Sequence, residues 1–239
     1  LRFRLIPKAN GGVRPIGVGE AVVGVAKRVV ATALTEQVGD WLKLHGQWGV
    51  AVADGCRVLS AAMAKMWDAG WAVAGLDVKN AFNSVHRRDV VEAVVERDRQ
   101  LAPFVAWTLA PTTLVGEGGS EVVERGVVQG DPLSPVLFAL VLAKATRRVH
   151  DRCREAGVRL GLLVPGKEAV IMDCAAEGGY DALLGWYADD GTVAWKDERS
   201  FRVVVEQVVL ALAEVGLELS ATKCQVVAGR GCGGEVVES

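Results

Sequence analysis

Three acidic residues sit where a folded chain has least use for charge. Trp71-Ala72-Val73-Ala74-Gly75-Leu76-Asp77-Val78 reads as a buried strand with one carboxylate near its end, and Trp186-Tyr187-Ala188-Asp189-Asp190-Gly191-Thr192-Val193 places two adjacent acids inside the apolar stretch 183–195. A buried carboxylate without a partner is strongly disfavoured or stays protonated, so its usual justification is a cation. If the two segments are neighbours in one sheet, three carboxylates converge. Asp-Gly between apolar runs is also a strong hairpin signal, which puts Asp190-Gly191 in the turn and has that turn present Asp189 toward Asp77. The hairpin and metal readings are compatible.

The rest of the chain can support such a site. With 239 residues, 51% of them hydrophobic, it has ample core for one large domain or two small ones. Motif-like sequence begins almost at Leu1, which reads as a segment cut from something longer. Cys56, Cys153, Cys174, Cys224 and Cys232 are scattered and contain no C-x-x-C pair, which argues against a disulfide framework or zinc site and fits a reducing, intracellular compartment. The longest apolar run, 136–143, falls far short of the roughly 20 residues that span a bilayer, so a soluble chain with no membrane partner is expected. A net charge of −2 excludes a surface that is basic throughout, and any nucleic-acid contact must be local. Basic residues cluster at Arg2-Arg4-Lys8-Arg14, Lys27-Arg28, Arg87-Arg88 and Arg147-Arg148-Arg152-Arg154, with a solvated helix face as the default for each.

No repeat or linker divides the sequence. Residues 1–18 read as two strands around the turn Ala9-Asn10-Gly11-Gly12. Apolar positions from Val22 to Leu42 recur at helical spacing and predict one helix over 20–44, broken near Gly39. A second helix is expected at 54–69, another at 84–99, and a turn between short strands at Gly116-Glu117-Gly118-Gly119. Ser134-Pro135 offers an N-cap followed by proline at the first helical position. Two strand-like pieces, 158–164 and 169–172, follow. Phe201 to Val215 trace a helix ended by Gly216, and 217–228 reads as extended around Lys223. Strands and helices mix without strict βαβ alternation, which is an α+β pattern.

Carboxylates of this kind are hard oxygen ligands suited to Mg²⁺. Two such ions about 4 Å apart serve in-line displacement at phosphorus, so the implied reaction class is phosphoryl transfer. The other constellations are poorer. His45, His86 and His150 lack an obvious Ser or Cys partner, Gly17-Val18-Gly19 is only a fragment of a dinucleotide fingerprint, and no Gly-Lys-Ser/Thr phosphate loop occurs.

Six motifs in order resemble the reverse transcriptase family from about residue 2 to 228. Arg4-Leu5-Ile6-Pro7-Lys8 with Gly12-Val13-Arg14-Pro15-Ile16 resembles its fingers hairpin, which implies that Lys8 and Arg14 meet the triphosphate of an incoming nucleotide. Gly46-Gln47-Trp48-Gly49-Val50 resembles a segment found in non-LTR retrotransposon and group II intron enzymes. Asp77-Val78-Lys79-Asn80-Ala81-Phe82 is similar to the first catalytic motif. There Asp77 and the Val78 backbone carbonyl would bind metal, and the bulk of Phe82 would screen the sugar 2′ position. Gly126-Val127-Val128-Gln129-Gly130-Asp131-Pro132-Leu133-Ser134-Pro135 resembles the motif beside the templating pair, with Gln129 and Gly130 nearest the nucleotide. Tyr187-Ala188-Asp189-Asp190 resembles the metal-binding hairpin. Lys223, after Gly216-Leu217-Glu218-Leu219-Ser220, would sit near the triphosphate as a proton donor.

The resemblance implies a right-hand polymerase with an antiparallel palm sheet and packed helices: fingers at 1–70 and 88–128, palm at 71–87 and 129–229, and a tail at 230–239, with nothing after 228 resembling a thumb. It implies Asp77, Asp189 and Asp190 as catalytic metal ligands for two Mg²⁺, with Mn²⁺ as substitute. The implied partners are an RNA template, a DNA or RNA primer and a dNTP. Non-LTR retrotransposons match best, with group II intron enzymes as near neighbours. An RNA-dependent RNA polymerase and a non-catalytic RNA-binding relic of the same fold remain the alternatives.

Overall fold

A computed structural model describes residues 2–7, 13–116, 119–165 and 179–229. They form an α+β arrangement with two sheets. In the first, β1 (Arg2–Pro7) and β2 (Val13–Val18) are antiparallel, β1 runs parallel to β4 (Thr112–Gly116), and β4 pairs antiparallel with β5 (Gly119–Val123). The expected turn at 9–12 lies outside the described residues, but the register Pro7↔Val13 is that of strands closed at this end. Gly116↔Gly119 likewise closes the second hairpin.

The second sheet has the order β6-β7-β8-β3-β9: β6 (Leu160–Leu162), β7 (Ala182–Tyr187), β8 (Asp190–Trp195), β3 (Ala72–Asp77) and β9 (Gln225–Val227). The antiparallel palm sheet expected from the family resemblance is corrected here to a mixed sheet, because β6 runs parallel to β7. A parallel neighbour needs a long crossover. The chain between Leu162 and Ala182 is long enough for one; the expected strand-like piece 169–172 within it lies outside the described residues.

At the centre lies α6 (Ser134–Glu155), buried almost all round from Val136 to Ala145. That run is too short for a membrane but suits a helix enclosed by protein. Among the described residues no helix is long and apolar enough to cross a membrane. Around it pack α1 (Ala21–Leu44), α4 (Arg87–Val95), α7 (Glu198–Glu214) and one face of the second sheet through Ala74, Leu76, Leu184, Trp186 and Val193. The opposite face of that sheet, at Val73, Leu183 and Ala194, meets α2 (Gly55–Asp68) and Trp48 in a smaller cluster. Period-two alternation along the strands separates the two sets.

Several local expectations change. The helix α1 is continuous through Gly39, where an added Cβ would stand 2.9 Å from the Ala51 Cβ, so this glycine permits a close approach rather than a break. The helix expected at 84–99 is shorter, with only α4 (Arg87–Val95) inside it, and two short unforeseen helices flank it, α3 (Ala81–Ser84) and α5 (Ala102–Thr108). Ser134 is the first residue of α6 and not its N-cap; that position is Leu133, whose N–H donates to the Asp131 carboxylate at 2.9 Å. Only Gln225–Val227 of the stretch 217–228 is a strand, with Lys223 in the preceding turn. Gly216, at φ +80°, ends α7 as read from the sequence.

Candidate active site

Strand pairing brings the acids together. Asp77, the last residue of β3, lies directly opposite Asp190, the first residue of β8. Asp190 is also paired with Tyr187 across the β7–β8 hairpin, which makes Ala188 and Asp189 the two turn residues. The expectation that Asp190-Gly191 forms the turn is therefore corrected. Ala188 takes the positive φ, at +55°. Gly191 serves another need: an added Cβ would lie 2.5 Å from the Trp186 ring, so its missing side chain lets that indole lie flat across the strands.

This end of the sheet is open. Gly75 and Asp190 are exposed and Asp77 is partly so, since α2 does not cover them. Burial, then repulsion from Asp77, holds the Asp189 carboxyl above its ordinary range, while Arg14 and Lys223 act against this. Asp190, although exposed overall, is raised by partial burial of its carboxyl group and by both neighbouring acids, and lowered by Lys223. The Lys223 ammonium donates to both Asp77 oxygens, at 3.1 and 3.3 Å. Three carboxylates face one close cation, and their oxygens are the donors a hard divalent ion prefers. Among the described residues, however, no three His, Cys, Asp or Glu side chains stand as a group that could hold a metal ion. Asp77 is ion-paired with Lys223.

Other positions fall around this centre. Arg14 is exposed and reaches Asp189 electrostatically; Lys8 lies outside the described residues. Val78 pairs with Leu219 in a non-hydrogen-bonded bridge framed by Ser220 N–H to the Asp77 carbonyl and Lys79 N–H to the Glu218 carbonyl, so the Val78 carbonyl is not used in it. Phe82 stacks on Phe138 with ring centroids 4.7 Å apart and stays partly exposed. Its carbonyl accepts from Val127 N–H, tying the turn after β3 to the segment 126–133. In that segment Gly130 is exposed at φ +94°, and the Gln129 carbonyl accepts from Gly17 N–H at 2.9 Å, fixing β2 to it.

The sequence reading missed a buried ion pair between Lys27 and Asp131, which joins α1 to the same segment. Lys27 corrects the default of a solvated helix face. Its spacing to Val23, Ala31 and Leu34 places it on the core side of α1, and that signal was available. The basic stretch on α6 keeps its structural reading: Arg148 and Arg152 both bind Glu214, and Arg154 binds Asp151. Arg87 clamps the carbonyls of Val123 and Gly126. Arg2, Arg4 and Arg14 make no salt bridge among the described residues.

Residues 6–232 match the model of the family "Reverse transcriptase (RNA-dependent DNA polymerase)". The chain belongs to the reverse transcriptase family. Among curated proteins it is similar to the Pol polyprotein of the type-1 retrotransposable element R2 of Nasonia vitripennis, 29% identical over 95% of this chain, and to that of the type-2 element R2DM of Drosophila melanogaster, 28% identical over 91%. Both agree with the non-LTR resemblance read from the motifs. The chain spans only 22% and 20% of those proteins. Among solved structures, apo telomerase from Candida tropicalis superposes with a TM-score of 0.65 at 12% identity, covering 98% of this chain and 51% of that one. Telomerase from Candida albicans, solved with a fragment of telomeric RNA, gives 0.62 at 13% identity over 95% of this chain and 41% of that one. At such identities the likeness is one of fold.

Proposed function

We propose that this reverse transcriptase domain catalyses RNA-templated DNA synthesis for an R2-like retroelement, with a primer 3′-hydroxyl attacking the α-phosphate of a dNTP and releasing pyrophosphate. One observation carries the reading: Asp77 and Asp190 face each other across β3 and β8, with Asp189 in the adjoining turn and Lys223 on Asp77. Asp77, Asp189, Asp190 and the Val78 carbonyl would hold Mg²⁺, or Mn²⁺ in its place. When bound, such ions lower the pKa of an attacking hydroxyl and neutralise charge on the phosphoryl oxygens. Lys8 and Arg14 orient the triphosphate, Phe82 excludes a 2′-hydroxyl by bulk, and Gln129 and Gly130 flank the nucleotide. Lys223 Nζ holds the proton for the departing pyrophosphate. Fingers at 1–70 and 88–128 and a palm at 71–87 and 129–229 belong to the same proposal.

The test is extension of a primer on an RNA template with Mg²⁺. Asp77→Asn and Asp189→Asn are each expected to abolish it, and unchanged extension by either variant contradicts the reading. Preference for rNTPs over dNTPs would indicate an RNA polymerase instead. A second reading, an RNA-binding scaffold without turnover, is favoured by the lack of a three-acid group set for metal among the described residues. Tight RNA binding by a wild-type protein that extends nothing would support it.

A further inference from the structure

Gln47 is completely buried, and neither its carboxamide oxygen nor its nitrogen has a hydrogen-bond partner among the described residues. Buried polar groups are nearly always paired, so this one calls for an explanation. The indole Nε1 of Trp186 is buried and unpartnered as well. The two residues are neighbours. Trp186 N–H donates to the Gly46 carbonyl at 2.8 Å and Trp48 N–H to the Trp186 carbonyl at 2.7 Å, so 46–48 pairs with β7 as a short parallel strand in which Gln47 stands beside Trp186. In a parallel pair the two side chains project from the same face. A residue with a buried, unpaired acceptor and one with a buried, unpaired donor are thus neighbours on one face.

Both ends of this contact reach the acidic hairpin. The Trp186 ring covers Gly191, next to Asp190, and an added Cβ at Gly49 would stand 2.5 Å from the Ala188 nitrogen, next to Asp189. Trp48 anchors the segment from the other face, its indole donating to the Leu163 carbonyl at 3.0 Å. The segment 46–49 therefore grips the hairpin by backbone bonds on its edge, by contact beneath its turn, and by one polar pair left open inside.

We propose that Gln47 is a positioning residue for the acidic hairpin: its carboxamide oxygen accepts from the Trp186 indole N–H when metal and nucleotide load the site, and the closed pair fixes the turn carrying Asp189. This deepens the polymerase reading and rests on it. Gln47 touches neither substrate nor metal; it acts through Trp186.

The experiment compares Gln47→Leu, Trp186→Phe and the double variant by primer extension and by Mn²⁺ binding followed through the ion's paramagnetic resonance signal. Each single variant is expected to lower kcat on the order of tenfold with the dNTP KM unchanged, and to weaken Mn²⁺ binding, the loss of one buried hydrogen bond. The double variant loses no more than either single one, because both remove the same bond. Gln47→Leu melts no lower than wild type, since an apolar side chain replaces an unpaired polar one. Multiplying losses in the double variant, or a fall in melting temperature with kcat and Mn²⁺ binding unmoved, overturns the proposal. If the wild-type protein extends no primer, the polymerase reading fails, while the Mn²⁺ titration still decides whether Gln47 and Trp186 act as one unit.

Discussion

The two sheets use the same covalent geometry for opposite ends. In the second, five of the six β7 residues are buried, and helices cover both faces except near Asp77. In the first, no described strand side chain is buried, and Leu5, Ile6, Val18, Val115 and Val122 are all about half exposed or more. A sheet with a core can hold carboxylates against their tendency to leave it or take up protons. A sheet without one holds nothing in place by burial, and its arginines remain available to an external anion. The first sheet is tied to the rest of the fold where Gly17 meets Val128 and Gln129 and where Arg87 holds the Val123 carbonyl.

That contrast breaks most sharply under core truncation. Leu184→Ala, in a fully buried position, is expected to lower stability by about 2–5 kcal/mol, while Ile6→Ala shifts it by roughly 0.5 kcal/mol or less. Urea unfolding measures both. Gly191→Ala should follow at about 1–3 kcal/mol, because its methyl group meets the Trp186 ring in a packed layer. Arg14→Ala should leave the melting temperature unchanged yet raise the dNTP KM on the order of tenfold, the value of one charge-assisted contact. Stability changes without a change in KM would remove Arg14 from the proposed triphosphate site.

The contrast extends to protons. Asp189 and Asp190 are raised, so over the window between the ordinary carboxylate range and their folded values the native state holds more protons than the unfolded chain, and stability falls as pH rises through it. Glu214, lowered by Arg152 and Arg148, behaves oppositely: its contribution is present above the ordinary range and lost as pH falls through its lowered value. Unfolding across the acidic range should therefore show Asp189→Asn gaining on wild type as pH rises. Glu214→Gln, the smallest effect, should lose about 1 kcal/mol or less at neutral pH and nothing once the wild-type acid is protonated.

Much of this was legible in the sequence. The acids in apolar strands, the helical periodicity of α1 and α7, and the glycine closing α7 follow from side-chain period and backbone freedom. The turn was misread because Asp-Gly is a local preference, whereas the register of β7 and β8 is set by which residues bury. Burying Leu184, Trp186 and Val193 on one face leaves Ala188 and Asp189 at the turn despite the strain at Ala188. The parallel placement of β6, the Lys27–Asp131 pair and the clasp by 46–49 were not readable as such, because each joins residues far apart along the chain.

The central proposal is that Asp77, Asp189 and Asp190, which are not preset as a three-acid metal group among the described residues, together take up a divalent cation. Calorimetric titration with Mg²⁺ tests it most directly. The account expects binding that releases protons as pH approaches the raised values of Asp189 and Asp190, that weakens as pH falls further, and that Asp77→Asn and Asp189→Asn each reduce at least tenfold. Equal Mg²⁺ affinity in wild type and in either variant would contradict it.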